Sequence, residues 1–292
     1  MEYIMLAVAT ASNVAKTLAW KKIGNANHKG AGVHLVNAFI FFFSALTLLL
    51  LGLLTRQISL PSLPSVLLGV LYALFSTLTQ ILLLKAMGMG EASMTQLVYS
   101  LGILLPITYS AIFRGEPIVP MQLVGVALVF VALYFITNPK GGKGKFNALW
   151  LILALLSATG SGAIGIVQKI HQTSEFKAEL QTFVLISLIS SALFSLILYL
   201  IGHKKAEGAQ VKIDGKYLGF LALCGLCVGV LNLSSAMCTG LLPAMVQFPV
   251  YNIGSTVLVG VCGYVIFKER LSASQLIGFG IGCTAILLIG LF

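Results

Sequence analysis

Asn13, Lys16 and Trp20 recur at steps of three and four residues within an apolar stretch. In a helix that spacing puts an amide, an amine and an indole on one face. Polar groups at membrane depth are expensive and by default mark a pathway. The Lys16 amine has two readings. It binds an anion or carboxylate, or it snorkels toward Lys21, five residues and roughly 7–8 Å of helix rise away. Snorkelling is the favoured one, since lysine near a helix end commonly does it. Tyr72, Ser76 and Gln80 follow at steps of four, then Thr95, Gln96, Tyr99 and Ser100, then Asn232 and Ser235, and finally Gln247, Tyr251, Asn252 and Ser255. These side chains are the candidate substrate-binding set. They offer hydrogen bonds, rings and one fixed charge, which is chemistry suited to holding a small solute.

No catalytic, metal or cofactor site is expected. The eight acids (Glu2, Glu91, Glu116, Glu175, Glu179, Glu207, Asp214, Glu269) fall at the ends of apolar runs or between them, without paired spacing. A membrane-embedded transferase would need clustered acids to hold a metal or act as base. Cys224 and Cys227 are spaced like a metal or redox pair, yet no second pair or histidine accompanies them, and all five cysteines read as packing. His34 and Asn37 open an apolar run, and a lone histidine at such an end reads as interfacial.

The elements that must position the polar groups are membrane helices. The chain is 58% hydrophobic and 9% charged, with mean hydropathy +1.01, which leaves too little polar surface for a soluble domain. A spanning helix needs about 20 mainly apolar residues. Ten such runs are read: 2–20, 33–54, 63–85, 91–113, 119–138, 148–169, 179–202, 216–238, 241–267 and 272–291. Pro120 suits a helix start, Ser272 with Gln275 makes a capping box, and Gly278 with Gly282 gives a close-packing face. Pro106 and Pro249 would kink runs four and nine and free carbonyls toward a cavity.

The chain is one unit written twice. Ala86-Met87-Gly88-Met89-Gly90 returns as Ala236-Met237-Cys238-Thr239-Gly240, and Tyr99-Ser100-Leu101-Gly102 as Tyr251-Asn252-Ile253-Gly254. Phe113-Arg114-Gly115-Glu116 is echoed by Phe267-Lys268-Glu269, and Gln122-Leu123-Val124-Gly125 by Gln275-Leu276-Ile277-Gly278. Residues 1–138 form the first five-helix repeat, 139–147 a Gly- and Lys-rich linker, and 148–292 the second. An odd number of spans per unit inverts the second copy, as in many secondary transporters, with the substrate at the seam. Tyr99 and Tyr251, and Ser100 and Asn252, would then approach the pseudo-axis from opposite sides.

The net charge of +10 sits in short connectors, which signals topology and argues against nucleic acid. Odd-numbered connectors hold 13 Lys and Arg residues against four in the even-numbered ones, placing both termini outside the cytoplasm. No cleavable signal peptide is read in Met1–Trp20.

The paired Phe-x-Gly-Glu and Phe-Lys-Glu-Arg turns, each followed by a Gln-x-x-Gly helix, together with the five-plus-five repeat, resemble the EamA family of the drug/metabolite transporter superfamily. The resemblance spans essentially the whole chain and is clearest over Ala236–Phe292. It implies an all-α integral membrane protein of ten helices around a central cavity lined by spans 1, 3, 4, 6, 8 and 9, with spans 5 and 10 peripheral. Members move amino acids, sugars, nucleotide sugars, amines and drugs, and are usually drawn with cytoplasmic termini. Small multidrug resistance relatives carry a glutamate within the first span; here the nearest acid is Glu2, which argues against proton-driven export of cationic drugs. The expected function is secondary transport of a small polar metabolite, neutral or zwitterionic like an amino acid, by a monomer in the cell membrane. A membrane-embedded transferase and a proton-coupled drug or amine exporter are the alternatives.

Overall fold

The computed structural model describes residues 2–25, 32–55, 58–114, 119–137, 147–203, 214–241 and 244–291, and within them every regular element is helical. The first half contains α1 (Glu2–Asn25), α2 (Gly32–Thr55), α3 (Leu63–Met89), α4 (Ala92–Ser100), α5 (Leu104–Arg114) and α6 (Pro120–Thr137). The second contains α7 (Ala148–Gln172), α8 (Leu180–His203), α9 (Gly215–Leu241), α10 (Ala244–Phe267) and α11 (Ala273–Leu291).

The fourth apolar run is not one α-helix. A 3-10 turn at Leu101–Ile103 separates α4 from α5. Pro106 has no amide hydrogen, so the carbonyl of Gly102 loses its helical donor and the chain tightens just before it. Pro249 has no such effect on its own segment, because α10 runs unbroken through it.

Five helical stretches are long and apolar enough to cross a membrane: Gly32–Thr55, Leu63–Met89, Ala148–Gln172, Glu175–Gly202 and Gly215–Thr239. Four further apolar stretches are shorter. Of the ten expected runs, the first fails the apolar test although α1 has 24 residues. Its polar and basic side chains, Asn13, Lys16, Lys21 and Lys22, dilute it.

Packing follows the sequence repeat. Helix α3 lies along α7 as α1 lies along α9, and α2 meets α9 as α3 meets α8. Elements also meet their own repeat mates, as α2 does α8, α4 does α10, α6 does α11 and, through a side-chain hydrogen bond, α3 does α9. Exchanging the halves leaves these partnerships unchanged.

Side-chain contacts gather the connectors at two ends. At one end the Glu269 carboxylate accepts from the Ala92 amide at 2.7 Å and the Ser93 hydroxyl at 3.1 Å, capping α4. Lys21, in the last turns of α1, pairs with Glu269 at 3.8 Å and donates to the Gly90 carbonyl. Trp150, in the first turn of α7, donates to Thr95 at 2.9 Å at this same end. At the other end Glu179 accepts from the Ser62 amide and hydroxyl, both at 2.8 Å. There the Ser65 hydroxyl meets His171 Nε2 at 3.2 Å, and His171 stacks on Phe183. The expected capping box is formed: Ser272 N–H donates to Gln275 Oε1 at 2.9 Å, and Gln275 N–H returns to Ser272 Oγ at 3.2 Å.

Candidate functional site

Between the halves lies a cavity of about 120 Å³. Its lining comes from α1, α3, α4 through α5, α7, α9 and α10. Helix α7 reaches it closely because its backbone crosses the 3-10 turn at glycine. A Cβ on Gly162 would stand 2.5 Å from the Gly102 carbonyl oxygen, and one on Gly102 would collide with the Ala158 carbonyl. Both glycines and Pro106 line the cavity, so the break in the fourth run forms part of its wall.

Lys16 is the charged group of this lining. Its ammonium lies 4.6 Å from the centroid of the Trp20 ring and 5.6 Å from that of Tyr99. The residue is only 5% exposed. The favoured snorkelling reading is therefore corrected: aromatic faces in the interior hold the amine, which offers a cation–π alternative to climbing toward water. The Lys21 amine that would have been its neighbour at the interface is already engaged by Glu269 and Gly90.

In the same lining the Tyr72 hydroxyl donates to Asn232 Oδ1 at 2.5 Å, tying α3 to α9. The Asn232 amide donates to the Val228 carbonyl at 2.7 Å, which fixes the orientation of its oxygen. Ser76, Gln80, Tyr99, Ser100, Ser235, Tyr251 and Asn252 complete the expected residues found in the lining. Ser100 also bonds Thr256 at 3.0 Å, so the α4–α10 contact of the two repeat mates is polar as well as close.

Four expected residues with described side chains lie behind the wall. Thr95 accepts from Trp150 and donates to the Glu91 carbonyl at 2.7 Å. Gln96 accepts from Thr17 at 3.1 Å. Asn13 and Ser255 are fully buried, with no hydrogen-bond partner for their side chains among the described residues. The side chain of Gln247 lies outside the described residues. Conversely, Thr79, Ser161 and Gln168 line the cavity without being in the expected set. Ser161 and Gln168 are the polar groups beside Gly160, Gly162 and Gly165 on α7, and Thr79 is one hydroxyl in a leucine-rich helix.

A sequence model of the EamA-like transporter family matches residues 3–138 and 148–291. The chain belongs to the EamA-like transporter family. The two matches flank the polar linker, so the family's unit occurs twice in the chain. No curated protein matches the chain. One crystal structure, titled only as that of a protein, is similar at a TM-score of 0.65 and 16% identity, covering 96% of this chain and 97% of that one. At that identity the likeness concerns the fold alone. As an EamA-family chain with several helices able to cross a bilayer, this is a multi-pass membrane protein of a transporter-type family.

Proposed function

We propose that the protein is a secondary transporter that moves a small polar metabolite, an amino acid or similar solute, by alternating access. In this reading all ten apolar runs span the bilayer, and residues 1–138 and 148–292 are inverted repeats joined by 139–147. The observation that carries it is the cavity itself. Repeat mates Tyr99 and Tyr251, and Ser100 and Asn252, reach it from α4 and α10, each pair with one member from either half. A seam lined by equivalent groups from two inverted units can be exposed to either side by rocking one unit against the other. The inversion is supported by Trp150, which starts α7 at the end where α1 finishes with Lys21.

The ion pair and cap formed by Lys21, Glu269 and the start of α4 would close the lysine-rich end. By charge asymmetry that end faces the cytoplasm, with both termini outside. A membrane-embedded transferase is the weaker reading, since the cavity lining contains no carboxylate among the described residues.

The experiment is counterflow in proteoliposomes, using a solute chosen by thermal-shift screening of the detergent-solubilised protein. Labelled solute should accumulate transiently above equilibrium when the lumen holds unlabelled solute. Tyr99→Phe and Tyr251→Phe should each slow it several-fold with little change in thermal stability, because only a hydroxyl is lost. Solute conversion to product, or full activity in the double variant, would refute the assignment.

A further inference from the structure

We infer that the cavity recognises its cargo through a carboxylate seated on the Lys16 ammonium, beside the rings of Trp20 and Tyr99, so that the substrate class is small organic acids. The inference deepens the transporter reading and rests on it for the statement that the bound acid is cargo.

Three observations converge on it. The amine is interior and is oriented by two ring faces at 4.6 and 5.6 Å. Ring faces attract a cation but return less than an ammonium loses on leaving water, so the charge still lacks a full counterpart. The protein does not supply one among the described residues. The titratable side chains around the cavity are the phenols Tyr72, Tyr99 and Tyr251, brought by α3, α4 and α10, while α7 and α9 bring only neutral groups. On α1 itself, Lys21 is committed to Glu269, whose carboxylate also caps α4.

The unsatisfied hydrogen-bonding groups of the wall point the same way. Trp20 Nε1 and Gln80 Nε2 are buried donors without an acceptor among the described residues. An oxyanion suits such a wall. A cationic amine does not, because it would face Lys16 with no acid to meet it. One ammonium matches one carboxylate, which distinguishes this class from dianionic phosphate esters. The ammonium of an amino acid is tolerated by the phenols but is not what the site selects.

The test uses the whole protein in detergent and a panel of two- to eight-carbon hydroxy, amino and aromatic acids, each paired with its primary amide. Binding is measured by thermal shift and calorimetric titration. At least one acid should stabilise the protein, with its amide bound at least tenfold more weakly. Lys16→Met should weaken that acid at least tenfold, to the level of the amide, and Lys16→Arg should fall between. The acid-to-amide comparison in the unmodified protein needs no variant to fold. Amides binding as well as acids, affinity unchanged in Lys16→Met, or no acid binding at all would each overturn the inference. If a neutral solute binds and shows counterflow, the acid class falls and the transporter stands. If acids bind through Lys16 but never cross liposomes, the site stands and the transporter falls.

Discussion

At the scale of single residues, the groups most legible in the sequence were those with period three or four inside an apolar run. Lys16 with Trp20, and Tyr72 with Ser76 and Gln80, share one cavity lining. Periodicity gives the face of a helix but not the depth of a side chain within that face. Thr95 and Gln96 show the difference: both are buried, but each is spent on a neighbouring helix through Trp150 and Thr17. One residue-scale prediction concerns Glu179, which is partly exposed at the end opposite Lys21. Its carboxylate accepts from the Ser62 amide and hydroxyl, both at 2.8 Å. Glu179→Ala leaves both donors without their acceptor, so thermal melts should show a lower melting temperature. An unchanged melting temperature would contradict this.

At the scale of elements, the 3-10 turn was only half visible. Pro106 announced a break, but Pro249 announced one equally, and α10 continues through it. The turn at Leu101–Ile103 coincides with a helix crossing, where Gly162 of α7 presses on Gly102, and a crossing partner is not written in local sequence. Gly162→Ala should cost about 1–3 kcal/mol through overpacking against the Gly102 carbonyl and Leu105. Gly280→Ala, whose Cβ would meet nothing within 4 Å, should be neutral or slightly stabilising in the same thermal assay. The Phe267-Lys268-Glu269 turn reads in sequence only as a repeat landmark, because its partners lie on distant helices. Lys268 takes a positive φ of 53°, and Glu269 caps α4 while pairing with Lys21. Glu269→Ala leaves that cap open and the poorly exposed Lys21 unpaired, so a loss of about 3 kcal/mol is expected by thermal denaturation. Lys21→Met keeps the cap and should cost clearly less.

At the scale of the whole molecule, the repeat is legible because motifs return in the same order at offsets that drift by only a few residues, and the packing partnerships obey it. Helix α1 is less apolar than the five stretches able to cross a membrane because Asn13, Lys16, Lys21 and Lys22 dilute it, and of these four Lys16 alone lines the cavity. In the proposed topology, drawn from the charge asymmetry between connectors, both termini lie outside the cytoplasm. A reporter fused to the C-terminus that is active only in the cytoplasm should be silent, and strong activity would reverse the orientation. The central claim is that one cavity opens alternately to two sides. Ser76, in the lining and 8% exposed, is the probe position. Ser76→Cys, with the five native cysteines replaced, is labelled by an impermeant thiol reagent in vesicles of each orientation. Labelling is expected from both sides, with Lys21→Met raising the rate from the lysine-rich end and lowering it from the other. Labelling from one side only, or both rates rising together as in an open pore, would contradict it.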